Sequence, residues 1–234
     1  MRKILRILNT LVFLMFLFPF SAVVYAAKNT DVRADNIKHA AENGNIKAQS
    51  ALGLMYYNGD HVTQDSVKAR YWYEKAAYAG DANAQGLLAM MYFTGDTVSR
   101  DYQQALFWFD KAAAQGDTEA MAFIGEIYLY GKGTEKNYTK AARYLQKSAE
   151  AGDAYAQGLL GIIYYYGKGT KQDYTRAREW FEKAAQQNDK KAQLALGLIY
   201  AKGHGVPENR SAANTWFRKS CDNGLQAACD RVMK

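Results

Sequence analysis

The sequence predicts an all-α solenoid: a right-handed superhelix of five 36-residue helix-turn-helix repeats with helical caps. The first observation behind this is that the chain matches itself at a constant shift of 36 residues, without one insertion. The second is that alanine, tyrosine and glycine recur in fixed columns of that register. These columns are Ala48, Ala84, Ala120, Ala156, Ala192 and Ala228; Tyr56, Tyr92, Tyr128, Tyr164 and Tyr200; and Gly59, Gly95, Gly131, Gly167 and Gly203.

The first element is a secretory leader over residues 1–26. Three basic residues precede an apolar run from Leu11 to Phe20, and small residues lie around position 26. This layout predicts cleavage after Ala26 and a periplasmic or secreted mature chain without stable membrane insertion. The alternative is an uncleaved anchor in the inner membrane that faces the periplasm, because Ile7 to Ala27 is uncharged and long enough to span a bilayer.

The mature chain divides at the repeat register. Residues 27–47 form a polar lead-in and a capping half-repeat, since the stretch from Ile37 to Lys47 matches the closing half of a repeat. The five repeats cover residues 48–83, 84–119, 120–155, 156–191 and 192–227. A C-terminal capping helix occupies residues 228–234.

Each repeat reads as two helices. In the fourth repeat Ala156, Leu160 and Ile163 follow the i, i+4, i+7 spacing of a buried stripe, which predicts the first helix. The second helix of every repeat begins after a residue that caps helix N-termini well. That column is Asp65, Asp101, Asn137, Asp173 and Asn209. A glycine followed by aspartate, as in Gly80-Asp81, predicts a left-handed helix end and the cap of the next helix.

The repeated phrase opens with A-x-x-x-L-G-x-x-Y-x-x-G-x-G and closes with W-[FY]-x-K-A-A. It resembles the Sel-one-like repeat (SLR) family, a relative of the tetratricopeptide repeats, over nearly the whole mature chain. The second glycine of the G-x-G pair is present in the last three repeats, but His61 and Thr97 replace it in the first two. We therefore expect the connecting loops of the first two repeats to differ. The resemblance implies a scaffold for protein partners, since members act as envelope adaptors, as restraints on sensor or cell-wall enzymes, and as immunity proteins.

The chain has two cysteines, Cys221 and Cys229. An even cysteine count in an exported protein predicts a disulfide bond. The resemblance implies the same pair, because cysteine-rich members of that family use this C-x7-C spacing. Two buried free thiols are the alternative.

Charge and composition exclude several classes of function. Removal of the leader lowers the formal charge from +7 to +4, and basic and acidic residues are interleaved, which argues against nucleic-acid binding. His39, His61 and His204 lie in different repeats, so we expect no metal site, no cofactor and no catalytic residues. The stretch "YYYGKGT" also fails the spacing of a phosphate-binding loop, because Gly169 separates Lys168 from Thr170.

One surface is a candidate for binding. On the side of each first helix opposite the core stripe lies a second apolar line, which we call the first-helix ridge: Leu54, Tyr57, Met90, Phe93, Glu126, Leu129, Ile162, Tyr165, Leu198 and Ala201. Burial between second helices would explain it as core. The alternative is that it lines a concave face, with aromatic anchors beside it. The predicted partner-binding residues are Tyr57, Met90, Phe93, Glu126, Tyr130, Ile162, Tyr165 and Tyr166.

These observations predict a non-enzymatic envelope protein that binds a protein or an extended peptide through its concave face. The partner would be a secreted effector or a cell-wall enzyme, and the role that of adaptor, regulator, or immunity protein against a toxin delivered to the periplasm. The alternative is an envelope enzyme or binder that acts on peptidoglycan fragments or β-lactams. Direct glycan binding by the 18 tyrosines and four tryptophans is a third possibility. Most of these aromatic residues, however, occupy repeat columns that fill the core, which explains their number without a glycan.

Overall fold

The computed structural model describes residues 32–232. The predicted leader, its cleavage after Ala26 and the last two residues of the C-terminal cap lie outside the described residues.

The described part of the chain is all-helical, with twelve helices and no strand in residues 32–232. The helix α1 covers residues 32–42 and begins ahead of the predicted half-repeat. Five pairs of 13-residue helices and one short helix follow. They are α2 (Ile46–Asn58), α3 (Ser66–Tyr78), α4 (Ala82–Thr94), α5 (Tyr102–Ala114), α6 (Thr118–Tyr130), α7 (Tyr138–Glu150), α8 (Ala154–Tyr166), α9 (Tyr174–Gln186), α10 (Lys190–Lys202), α11 (Arg210–Asp222) and α12 (Gln226–Cys229). Consecutive helix-turn-helix repeats of this kind are the architecture of an α-solenoid, as the sequence predicts.

The predicted capping residues fix where the helices begin. Asp173, for example, accepts a hydrogen bond from the backbone N–H of Arg176 at 3.0 Å and thereby satisfies a free amide in the first turn of α9. All five members of the column cap their helix in this way. The backbone N–H of Asp173 also donates to the carbonyl of Tyr164 at 2.9 Å, which ties the loop back to the first helix. Leu225 makes no side-chain cap, as expected for the degenerate end of the array.

The loops of the first two repeats do not differ from the others at the position where glycine is replaced. His61 has φ 58° and Thr97 has φ 67°, which is the same left-handed region as φ 64° at Gly133 and φ 70° at Gly169. The expectation of different loops was therefore wrong. His61 and Thr97 adopt the backbone conformation that glycine takes there without strain.

The chain forms two compact units, Met1–Ala84 and Gln85–Lys234. In the described part of the first unit, α1, α2 and α3 enclose a core that contains Ala34, Leu52 and Trp72. The ring of Tyr73 on α3 lies against Gly53 on α2, where a Cβ atom would come within 2.6 Å of the ring. Glycine in the L-G motif therefore lets the second helix approach closely.

The second unit repeats this packing along its length. Its cores combine alanines of each second helix with leucines and isoleucines of the first helices, such as Leu160, Ile163 and Leu196. Side-chain amides join neighbouring repeats: Gln187 donates to Gln157 at 3.0 Å, and Asn223 donates to Gln193 at 2.9 Å. Because Gln157 and Gln193 are buried, these hydrogen bonds satisfy polar groups that burial would otherwise destabilise.

A disulfide bond closes the C-terminal end of the described chain. Cys221 on α11 and Cys229 on α12 are bonded, with their Cα atoms 4.7 Å apart. Ser220 beside it is buried and donates to the backbone carbonyl of Lys190 at 2.6 Å.

Candidate binding groove

The first-helix ridge is surface in some repeats and core in others. On α2, Leu54 is 44% exposed and Tyr57 is also exposed. On α6, by contrast, Leu129 is 1% exposed and Glu126 is 8% exposed. The ridge is therefore not one uniform face.

The predicted residues on α4 and α8 lie between these extremes. Met90, Phe93, Ile162 and Tyr165 are partly buried. Tyr166 at the end of α8 is 62% exposed, and Tyr130 at the end of α6 is exposed as well.

A groove of about 380 Å³ opens in the second unit on the first helices of three consecutive repeats, α6, α8 and α10. Its lining is mostly apolar. The lining residues are Glu126, Tyr130, Lys132, Tyr155, Gly158, Leu159, Ile162, Phe181, Asp189, Lys191, Ala192 and Ala195. Three of the predicted partner-binding residues, Glu126, Tyr130 and Ile162, thus meet at one site.

The groove is located where one column of side chains becomes smaller along the array. The column holds Phe123 on α6, Leu159 on α8 and Ala195 on α10. Phe123 fills the space at its position, since its ring lies 5.3 Å from that of Phe93 and 5.9 Å from that of Tyr155. Ala195 has only a methyl group at the equivalent position, so space remains open above α10.

A partly buried ion pair lines the groove. The ammonium of Lys132, in the loop after α6, lies 2.7 Å from Oε1 of Glu126. Burial and a hydrogen-bonding interaction with Glu126 both raise the pKa of Tyr155 on α8. Burial, and the charge of Glu126 in second place, also raise the pKa of Tyr130. Both phenols therefore stay protonated at neutral pH and can donate hydrogen bonds within the groove.

Lys132 also lies over aromatic rings. Its Nζ atom is 4.5 Å from the centre of the Phe93 ring and 5.6 Å from that of Tyr102. Phe93 is thus linked to the groove through Lys132, although it does not line it. These contacts hold the loop lysine above the buried carboxylate.

Tyr165 and Tyr166 belong to a separate aromatic cluster. The Tyr165 hydroxyl lies 2.8 Å from Nδ1 of His204, and the His204 ring stacks on Tyr174 with centroids 4.7 Å apart. Tyr166 packs edge-on against Tyr165, and Nζ of Lys168 lies 5.5 Å from the centre of the Tyr166 ring. Tyr57 and Met90 also lie outside the lining of the groove.

Carboxylates lie at the starts of two of the first helices that form the groove. Glu119 on α6 has a raised pKa, first because of burial and then because of the charges of Asp117 and Asp153. In the first unit, Lys47 occupies the position of Glu119 and Asp81 the position of Asp153. These two residues form a salt bridge, with Nζ of Lys47 3.3 Å from Oδ2 of Asp81. The second unit therefore has a like-charge contact where the first unit has an ion pair.

Three lining residues of the groove, Lys132, Tyr155 and Ala195, are not among the predicted binding residues. Tyr155 is the only aromatic residue in a column of otherwise polar side chains, and this exception was a usable signal. Lys132 had none, because it reaches Glu126 only after the chain has turned through the left-handed Gly131.

Within residues 32–232, no group of three or more histidine, cysteine, aspartate or glutamate side chains is arranged to hold a metal ion. In the same part of the chain, every helix is too short or too polar to cross a lipid bilayer.

Five consecutive stretches of the chain match the Sel1 repeat family: residues 46–81, 82–117, 118–153, 154–189 and 190–225. The chain belongs to the Sel1 repeat family. Sel1 repeats form helical scaffolds that bind protein partners and are in general not catalytic.

Solved structures agree with this assignment. The chain is 32% identical to a Sel1 repeat protein from Oxalobacter formigenes, with a TM-score of 0.81, and the match covers 91% of this chain and 84% of that protein. It is 36% identical to a protective antigen of uropathogenic Escherichia coli with an SLR fold, with a TM-score of 0.75 over 85% of this chain. A sel1 repeat protein from Klebsiella pneumoniae is 26% identical, with a TM-score of 0.56, over 85% of this chain and 97% of that one.

The chain spans 43% of the length of the Escherichia coli antigen. The comparison with curated protein sequences found no match.

Proposed function

We propose that this chain is a non-enzymatic interaction protein of the cell envelope that binds a protein partner through the groove on α6, α8 and α10. The observation that carries the proposal is the groove itself: an apolar concavity of about 380 Å³ with two tyrosines and a partly buried ion pair in its lining. Apolar pockets with a few placed polar groups are where partners and ligands bind. Tyrosine is also a residue type enriched at binding hot spots.

The predicted leader and the disulfide bond support placement in the periplasm or outside the cell, because disulfides persist in oxidising compartments. The role in the envelope is that of an adaptor, a regulator, or an immunity protein against a toxin delivered to the periplasm. We expect the partner to be a secreted effector or a cell-wall enzyme.

Photo-crosslinking in intact cells tests this proposal. A photoreactive residue replaces Ile162 in the groove, and a matched control carries it at Tyr78, which is 78% exposed on the second helix α3. We expect one envelope protein to be captured from position 162 and not from position 78. The captured protein is then purified and its affinity for the full mature chain is measured.

The combined variant with Tyr130→Glu and Ile162→Glu, which changes two lining residues, should abolish that affinity while its circular dichroism stays helical. Unchanged affinity, or capture that is equal from both positions, would show that the groove is not the binding site. A loss of helical signal would show that these residues hold the core. Turnover of a β-lactam or a muropeptide by the purified chain would contradict the non-enzymatic assignment.

A further inference from the structure

The groove has room for a side chain from outside because the array leaves one position unfilled. Phe123 shows how a ring is held in this column, with Phe93 and Tyr155 on either side. At Ala195 the same column provides only a methyl group, and Gly158 on the neighbouring helix has no side chain at all. A cavity of about 380 Å³ suits an aromatic side chain together with a short stretch of backbone.

The charges beside the groove are complementary to a cation. Lys132 already neutralises Glu126, and the groove lining also includes one further residue of each sign, Lys191 and Asp189, at the start of α10. At Glu119 and Asp153 the lysine that pairs with the capping aspartate in the first unit is replaced by a glutamate. Two negative charges therefore act on each other along this edge, and the charge of Asp153 contributes to the raised pKa of Glu119, after burial and the charge of Asp117.

The acidic edge, formed by Glu119 and Asp153, adjoins the cavity at Asp153. Asp153 is the N-cap of α8, and Tyr155, two residues further on, lines the groove. The charge of Asp153 contributes to the raised pKa of Tyr155, after burial and the interactions with Glu126. A ligand in the groove would therefore lie within the field of these carboxylates.

We infer that the groove takes an extended peptide segment of the partner, with a bulky aromatic side chain against Ala195 and a lysine or arginine against Glu119 and Asp153. This inference rests on the proposed function and names the chemistry of the partner at that same site. The Tyr130 phenol would donate to a backbone carbonyl of such a segment, and the Tyr155 hydroxyl, whose proton interacts with Glu126, would accept from a backbone N–H.

Selection from phage-displayed random dodecapeptides on the purified mature chain tests the chemistry of the segment. We expect enriched peptides to combine an aromatic residue with lysine or arginine. Enrichment of acidic peptides, of peptides without aromatic residues, or of none at all would overturn the inference.

Fluorescence anisotropy with the best enriched peptide tests the location. Ala195→Phe copies Phe123 into the open position and should weaken binding by about tenfold or more. The matched control, Ala114→Phe, adds the same ring on an exposed site of the second helix α5 and should leave the affinity unchanged. Equal affinities for the two variants would overturn the placement in the groove.

Glu119→Lys tests the charge. It recreates the Lys47–Asp81 arrangement, so we expect peptide affinity to fall about fivefold while the midpoint of thermal unfolding does not fall. A gain in affinity for the basic peptide would contradict the inference. Sedimentation of the free chain identifies another occupant, since a dimer dispersed by Ala195→Phe would show that a second copy fills the groove.

Failure of this inference can be distinguished from failure of the proposed function. If the protein captured from Ile162 binds Ala195→Phe and Glu119→Lys as well as it binds the unchanged chain, the interaction role stands and the peptide chemistry is wrong.

Discussion

The ammonium of Lys132 lies 2.7 Å from the carboxylate of Glu126, and the Glu126 side chain is 10% exposed. In the other four repeats the position of Glu126 holds Leu54, Met90, Ile162 or Leu198. The fold therefore does not need a charge at this position, and the ion pair belongs to this repeat alone.

Lys132→Met should destabilise the chain by about 1 to 3 kcal/mol, because it leaves the Glu126 carboxylate buried without its counter-ion. The double variant Glu126→Leu with Lys132→Met removes both charges and should recover most of that loss. Urea unfolding followed by circular dichroism measures both values.

Lys168→Met is the control for Lys132→Met. Lys168 occupies the same loop position in the next repeat and lies over Tyr138 and Tyr166, but its first helix carries Ile162 instead of a glutamate. Equal losses for the two lysine variants would mean that ring contacts, and not the ion pair, account for the effect.

Gly161 and Gly158 on α8 should respond oppositely to the same substitution. A Cβ atom on Gly161 would lie 2.6 Å from Cε1 of Phe181, so Gly161→Ala forces the two helices apart and should cost about 1 to 3 kcal/mol. A Cβ atom on Gly158 has no neighbour nearer than 4.0 Å, and Gly158→Ala should add about 0.5 to 1 kcal/mol through helix propensity.

Thermal and urea unfolding of these two alanine variants provide the comparison, and each variant is the control of the other. Two losses of similar size would show that α8 tolerates no added methyl group. Two gains would show that the contact between Gly161 and Phe181 is loose.

Thr97→Gly should stabilise the chain by about 0.5 to 1 kcal/mol, because Thr97 has φ 67° and a β-branched residue is strained in the left-handed region. Part of that gain is offset by the greater freedom of glycine in the unfolded chain. Thr134→Gly, at a loop position outside the left-handed region, should lower stability instead. A loss in both variants, measured by urea unfolding, would show that the strain at Thr97 is negligible.

The sequence predicts the helices of this protein well because their boundaries depend on neighbouring residues. Asp173 caps α9 through the amide three residues further on, and a left-handed Gly167 ends α8. Both signals lie within one turn of the residues they affect, so the repeat register reveals them without any knowledge of the packing.

The groove could be predicted only in part because it depends on residues from three repeats. Glu126 stands out as the exception in an apolar column, and Tyr130 as an aromatic residue at a helix end. The importance of Ala195 appears only when α8 and α10 are placed beside each other, since an alanine on a first helix is otherwise an ordinary core residue. Tyr166, by contrast, is a predicted binding residue that does not line the groove. Its exposed ring belongs to the cluster of Tyr165 and His204.

The disulfide bond between Cys221 and Cys229 should hold the C-terminal end of the array. The helix α12 has four residues, and Leu225 gives it no side-chain cap, so little local structure holds it in place. Closing a nine-residue loop restricts the unfolded chain, and Cys221→Ala with Cys229→Ala should therefore cost about 2.5 kcal/mol on the chain-entropy estimate. Hydrogen exchange should rise in α11 and α12 while the amides of α6 to α8 stay protected, because each repeat contacts mainly its neighbours. Alkylation of the denatured chain should modify neither cysteine before reduction and both after it. Modification of both thiols without a reductant, or an unfolding midpoint unchanged by the double substitution, would contradict this role for the bond.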